Sequence, residues 1–245
     1  MYKKRITKSV IITLTLLLTT LFLSFSAFAL DLVESNTDMY KSGSKYWCDG
    51  ETVGSGAEYS RADGEVYDNY YNLIAYTSNS RVPGNYASYH LQWNYTSGRT
   101  YSGSTTSTVW GNGYTITGGS YDTYGSRSSS VTKTKIEQAE EIQKTVLEKY
   151  AADIKGLQKT SWLDKANIAQ DLSETERSNY ILALIDIVNQ YREIGSKVPL
   201  LYFNENYSET VILYQDADES AVEILIVSQE GPDGKEWVFK SVKRD

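Results

Sequence analysis

The chain has 245 residues, enough for one large or two ordinary domains with a substantial hydrophobic core. Its formal net charge is −7, and nucleic-acid phosphates and anionic membrane surfaces repel an acidic protein, so nucleic acid is not expected as a partner. The chain has a single cysteine, which excludes an intramolecular disulfide and leaves the fold dependent on its core alone.

The first 29 residues have the layout of a secretory signal peptide. An apolar run without charge covers residues 10–25, and Ala27-Phe28-Ala29 fits the small-x-small rule for cleavage. The positive segment before the run consists of Lys3, Lys4, Arg5 and Lys8. An uncleaved anchor is the alternative, because residues 10–29 are long enough to span a bilayer.

Five threonines in this segment and the Ala-x-Ala site favour cleavage, after which no stable membrane insertion is expected. Cleavage removes four positive charges, so the formal charge becomes −7 − 4 = −11. We therefore expect a secreted protein, in the medium or at the cell wall. A long signal peptide on a cysteine-poor chain is typical of exported proteins of Gram-positive bacteria.

Residues 30–130 are predicted to form an all-β unit, a Tyr-rich antiparallel sandwich or barrel that is also rich in Gly, Ser and Thr. Between residues 86 and 124 only Arg99 and Asp122 are charged, and ring and β-branched side chains favour sheet. Asn112-Gly113 predicts a tight hairpin. In the clearest strand, residues 87–96, apolar and polar residues alternate, which puts Tyr89, Trp93 and Tyr95 in the core.

The remainder of this unit is less regular. Residues 66–77 are predicted as one strand that leads to a turn at Pro83-Gly84. Residues 31–45 are mixed and polar, and Ser42-Gly43-Ser44 is interpreted as a flexible approach to the sheet.

Residues 131–245 are predicted to form an α+β unit, after a serine-rich linker at residues 125–130. An amphipathic stripe predicts a helix over residues 133–155, and a short helical piece covers residues 163–169. Ser173 and Glu176 form a capping box before a second main helix that ends at Gly195. The two main helices are expected to pack on an antiparallel sheet of about three strands, at residues 209–215, 221–228 and 235–243.

His90 is the only histidine and a weak candidate for a general base. Cys48 could serve as its nucleophile, but the surrounding KYWCDG segment has no thiol-enzyme signature. A carboxylate pair of the kind that secreted hydrolases place around a sugar is a further possibility. Its candidates, which are also interpretable as solubilising surface charges, are Glu51, Glu58, Asp63, Glu65 and Asp68.

No metal and no cofactor are predicted. One histidine and one cysteine cannot form a structural zinc site. Asp216, Asp218 and Glu219 lack the spacing of a calcium loop and indicate an acidic turn.

The aromatic residues give the clearest indication of function. Residues 30–132 contain fourteen tyrosines, three tryptophans and no phenylalanine. Such rings have an apolar face and a polar edge, which suits a half-wet binding surface, although a core built of tyrosines is the alternative. The predicted ligand-binding residues are Tyr70, Tyr71, Tyr101, Trp110, Tyr121 and Tyr124.

Together these features predict a secreted, non-enzymatic binding protein that acts at or outside a bacterial cell envelope. Its expected partner is a cell-wall glycan or a secreted or surface protein. Two alternatives stay open: a secreted hydrolase that uses His90 or a carboxylate pair, and a toxin-like or inhibitor protein.

Overall fold

The structure is a computed structural model that describes residues 29–77, 80–125, 134–231 and 234–245. The predicted signal peptide up to residue 28, nearly all of the predicted linker, and Pro232-Asp233 of the last turn lie outside these residues. As predicted, antiparallel sheets fill the first half, and helices with a further antiparallel sheet fill the second. No helix in the described ranges combines the length and apolar character needed to cross a bilayer.

Two antiparallel sheets form the first half. The first sheet has the order β1-β2-β6, with β1 (Asp31–Ser42), β2 (Lys45–Ser55) and β6 (Tyr86–Asn94). The second sheet has the order β4-β3-β7-β8, with β3 (Tyr59–Asp68), β4 (Leu73–Thr77), β7 (Tyr101–Gly111) and β8 (Tyr114–Tyr124). A short strand, β5 (Val82–Pro83), also pairs with β3.

The two sheets pack face to face around an aromatic core, in an arrangement that fits a β-sandwich. The ring of Tyr89 fills the space between them, because Gly50 and Gly64 have no side chains there. A Cβ atom at Gly50 or Gly64 would lie 2.2 or 2.3 Å from that ring. These two glycines therefore permit the close approach of an aromatic side chain to both sheets.

The second half contains α1 (Lys135–Ile142), α2 (Lys144–Lys149), a 3₁₀ helix (Trp162–Asn167) and α3 (Glu174–Tyr191). Its sheet has five strands rather than about three, in the order β13-β12-β11-β10-β9. The strands are β9 (Gln158–Ser161), β10 (Leu200–Phe203), β11 (Glu209–Gln215), β12 (Ala221–Gly231) and β13 (Gly234–Arg244). The strands β9 and β10, with four residues each, are too short to show a period-two pattern.

The two halves share one hydrophobic core. Tyr67 of β3 and Leu73 of β4 belong to the same buried cluster as the apolar residues of α3 and the five-stranded sheet. An isolated bridge between Asn72 and Lys197 adds backbone pairing between the halves. The face of the second sheet that points away from the first sheet is therefore covered by the second half of the chain.

Several local predictions are confirmed. Asn112 and Gly113 both have positive φ, 53° and 79°, and they join β7 to β8 in a tight hairpin. The Ser173 and Glu176 side chains make both hydrogen bonds of the capping box at the start of α3. Tyr89 and Trp93 are buried, as predicted.

Other predictions are wrong in detail. Ser42-Gly43-Ser44 is not a flexible approach, since Ser42 ends β1, the next two residues turn into β2, and the two strands pair along the whole length of β1. Residues 66–77 are two strands, because the Asp68 carboxylate accepts hydrogen bonds from the backbone N–H groups of Tyr70 and Asn72 and forms a turn. Tyr95 is 44% exposed rather than buried, because β6 ends at Asn94.

The helix predicted over residues 133–155 is interrupted at Gln143, between α1 and α2. Gln143 is buried, and its side-chain amide donates to the Val198 carbonyl at 2.7 Å and accepts from the Gln215 N–H at 2.8 Å. The second predicted helix ends at Tyr191, ahead of Gly195, whose φ is 100°.

Candidate functional site

The solvent side of the first sheet gathers polar and aromatic side chains on one surface. Alternation along each strand sends one set of residues to the core and the other set outward, as in any half-buried sheet. In β2, for example, Tyr46 and Cys48 point inward while Trp47 and Asp49 point outward. We call the outward set the outer face: Asn36, Asp38, Tyr40, Lys45, Trp47, Asp49, Glu51, Tyr86, Ser88, His90, Gln92 and Asn94.

Strand register aligns these residues in rows across the sheet. Trp47 lies between Tyr40 of β1 and Gln92 of β6. The rings of Tyr40 and Trp47 are nearly parallel, with centroids 6.3 Å apart and an interplanar angle of 6°. Tyr40 is 37% exposed and Gln92 is exposed, so the row offers two rings and an amide to solvent.

Asp49 connects the next row to these rings. One carboxylate oxygen lies 2.9 Å from His90 Nδ1, and the other accepts a hydrogen bond of 3.0 Å from the Tyr40 hydroxyl. This hydrogen bond to Asp49 is the main cause of a raised pKa for the Tyr40 hydroxyl. The Asp49 carboxylate therefore fixes the orientation of both His90 and Tyr40.

The sequence interpretation missed Tyr40 and Trp47. It assigned no strand to residues 31–45, and of the residues in β2 it considered only Cys48 and Glu51 as candidates. The missed signal is the alternation in β2, where Lys45, Trp47, Asp49, Glu51 and Val53 are only partly exposed and every residue between them is buried. The inward positions include Gly50 and Gly54, which masks the pattern because glycine has no apolar side chain.

The predicted ligand-binding residues do not form one surface. Tyr101 is only 2% exposed and packs against Tyr46 and Trp93, so its prediction as a surface residue is wrong. Tyr124 is half-buried and also packs on Tyr46.

The other four residues of that set lie in separate places. Tyr70 is exposed in the turn after β3, whereas half-buried Tyr71 donates a hydrogen bond from its hydroxyl to Gln138. The Arg81 guanidinium lies 4.8 Å from the ring centre of Trp110. Tyr121 lines a polar cleft beside the 3₁₀ helix.

His90 and Cys48 cannot act together. The His90 side chain is 69% exposed on the outer face, while Cys48 points into the core beneath the same sheet. Burial raises the pKa of the Cys48 thiol to about 12, with a smaller opposing contribution from the hydrogen bond to Tyr89. A thiol with that pKa stays protonated near neutral pH and is a poor nucleophile.

Of the five carboxylate candidates, Asp63 and Glu65 are enclosed between the two halves of the chain. Burial opposes ionisation of Glu65, but Arg192 and Lys165 outweigh it and lower the pKa of this carboxyl to about 2. Burial raises the pKa of Asp63 to about 6, against the attraction of Arg61. Both carboxylates take part in structural ion pairs.

The other three carboxylate candidates are apart from these. Asp68 pairs with Arg99 at 2.6 Å, Glu58 is exposed, and Glu51 belongs to the outer face. Within the described ranges, no three His, Cys, Asp or Glu side chains come together as a metal site requires.

Comparisons with known proteins give no family. No protein-family model and no curated protein matches the chain. Among solved structures, the crystal structure of a β-glucuronidase from Parabacteroides merdae aligns with 38% of this chain at 10% identity and a TM-score of 0.29. The alignment spans 13% of the length of that enzyme, and a likeness this slight carries no argument about fold or function.

Proposed function

We propose that the protein is a secreted glycan-binding protein that attaches to cell-envelope polysaccharide through its outer face. The observation that carries the proposal is the row of Tyr40, Trp47 and Gln92, beside Asp49 and His90, on a solvent-open sheet. Aromatic rings have apolar faces that can stack on sugar rings, and the neighbouring carboxylate, amide and imidazole groups can hydrogen-bond sugar hydroxyls.

The charge on this face restricts the ligand class. Asp38, Asp49 and Glu51 lie along its middle, and Lys45 is at one end. The core of a protein interface is usually depleted in charged residues, which makes a stable protein partner a poorer fit. An acidic surface also repels anionic polymers, so a neutral glycan is the preferred ligand.

A hydrolase is the second candidate, because Asp49 orients His90 as it would orient a general base. The His90–Asp49 pair stands on an open sheet, however, whereas enzyme sites usually hold the reacting bond in a cleft that limits access of bulk water. Incubation of the purified protein with the polysaccharides it retains separates the two candidates. Release of reducing sugar that His90→Ala abolishes would favour the hydrolase.

The test of binding is retention of the purified protein on isolated cell-wall sacculi and on insoluble neutral polysaccharides. We expect retention that soluble sugar reverses, and we expect Tyr40→Ala and Trp47→Ala each to weaken it at least about tenfold, or about 1.4 kcal/mol. Tyr114→Ala is the matched control, because Tyr114 is 64% exposed on β8, outside the outer face. The proposal would be refuted if the folded Tyr40 and Trp47 variants were retained as strongly as wild type, or if wild type passed through without retention.

A further inference from the structure

A polar cleft of about 250 Å³ lies between the β7–β8 hairpin and the 3₁₀ helix. That volume corresponds to about eight water molecules, at ~30 Å³ each, which suits a molecule the size of one sugar ring. The cleft is on the face of the second sheet that points away from the first sheet. Its lining includes Ser104, Thr106, Tyr121, Lys165 and Asn167.

Strand alternation explains why the wall of the cleft is rich in hydroxyl groups. Ser102, Ser104, Thr106 and Thr108 share one face of β7 and point toward the second half of the chain. Next to them on β8, Gly119 has no side chain, and a Cβ there would lie 2.8 Å from the Cβ of Ala166. The small residues Gly119 and Ala166 therefore bring the 3₁₀ helix close to the sheet beside this row of hydroxyls.

The Ser104 hydroxyl is the strongest indication that the cleft binds a ligand. Ser104 is only 5% exposed and lines the cleft, yet within the described part of the chain its Oγ has no hydrogen-bond partner. A buried hydroxyl without a partner costs about 1–3 kcal/mol, and such groups are rare in folded proteins. A ligand that bonds this hydroxyl would recover that cost.

Lys165 supplies a buried cation that shares one carboxylate with a second cation. Its Nζ lies 3.3 Å from Glu65, and Glu65 also pairs with Arg192 at 2.9 Å. Asp164 adds a negative charge to the lining of the cleft. With Asp164, the two cations face two carboxylates, so no net positive charge attracts an anion, whereas a neutral ligand meets groups that both donate and accept hydrogen bonds.

We infer that this cleft binds a single neutral sugar unit, with Ser104 and Asn167 hydrogen-bonding its hydroxyls and the Tyr121 ring flanking it. The inference rests on the proposed function for its choice of ligand class. The site is separate from the outer face, because the two surfaces lie on opposite sides of the paired sheets. A glycan held flat on the outer face and a sugar unit taken into the cleft would be two independent contacts.

The test is titration of the purified full-length protein with D-glucose, D-galactose and N-acetyl-D-glucosamine, followed by amide NMR shifts. We expect at least one of these sugars to shift the signals of Gly119 and Ala166. Ser104→Ala should weaken that binding about threefold to tenfold, the value of one hydrogen bond. Asn167→Ala should do the same, and it is exposed, so its loss does not threaten the fold.

Two controls make the result specific. Thr108→Val removes a hydroxyl from the same face of β7 outside the cleft, where Thr108 pairs with Thr117, and should leave sugar affinity unchanged. Trp47→Ala should leave the cleft titration unchanged while it weakens retention on polysaccharide, so each proposal can fail without the other. Any one of three results would overturn the inference. These are no shift with any of the three sugars, sugar binding that Ser104→Ala and Asn167→Ala leave unaffected, and shifts at Gly119 and Ala166 with sodium sulfate instead.

Discussion

Glu65 is an enclosed carboxylate at the contact between the two halves of the chain. Its side chain is 3% exposed, and its carboxylate pairs with Arg192 and Lys165 and accepts a hydrogen bond of 2.7 Å from the Trp162 indole. Two cations thus depend on one carboxylate. Removing one member of such a network leaves the others buried without compensation.

We therefore predict that Glu65→Gln destabilises the protein by about 3–5 kcal/mol, because Arg192 and Lys165 remain buried with no negative partner. Urea unfolding followed by tryptophan fluorescence gives the free energy of unfolding. Glu58→Gln is the matched control, and it should change that free energy by less than about 0.5 kcal/mol because Glu58 is exposed. Equal stability of the two variants would contradict a structural role for the Glu65 network.

At the scale of secondary structure, the break between α1 and α2 shows how tertiary contacts override a local pattern. The stripe over residues 133–155 has helical spacing, and Gln143 falls on its buried side. Its amide bonds the backbone of Val198 and Gln215 instead of solvent. Without these bonds the Val198 carbonyl and the Gln215 N–H would lack partners. The helix is therefore interrupted at Gln143.

The prediction at this scale is that Gln143→Met, which keeps approximate volume, destabilises the protein by about 2–4 kcal/mol. Two backbone groups would each lose a hydrogen bond in a buried setting. Chemical denaturation gives the free energy of unfolding of this variant and of a control, Lys144→Ala, at the exposed neighbouring residue. A change no larger than that of Lys144→Ala would show that the two bonds do not hold the helices to the sheet.

For the whole molecule, the central fact is that one buried cluster contains residues from both halves. Leu73 is fully buried in this cluster, and its backbone exchanges hydrogen bonds with Gly195 and Ser196, after the end of α3. Arg61 of β3 bonds Asp186 of α3 at 2.6 Å. Residues in a shared core unfold together unless the contact between their units is weak.

We accordingly predict that Leu73→Ala costs about 2–5 kcal/mol and lowers the protection of α3 amides as much as that of β7 amides. Native-state hydrogen exchange measures both regions in one experiment. Ala87→Gly serves as a control, since Ala87 lies in the core between the first two sheets and not in the shared cluster. Loss of protection confined to residues before 125 in the Leu73 variant would mean that the halves unfold independently.

Short-range patterns in the sequence were sufficient to predict several features of the fold. Alternation identified β6, Asn112-Gly113 identified a hairpin, and Ser173 with Glu176 identified the start of α3, because neighbouring residues alone set each of these. The change from sheets to helices and a sheet was visible for the same reason.

Which tyrosines face solvent, and which polar groups come into contact, depends on tertiary packing. Period-two alternation separates the two faces of a strand but does not say which face packs, and both faces here carry rings or hydroxyls. Packing thus places Tyr101 in the core and Tyr40 on the surface. Glu65 and Arg192 are 127 residues apart in the chain, so their pairing, like the cleft beside Ser104, depends on how the two halves pack.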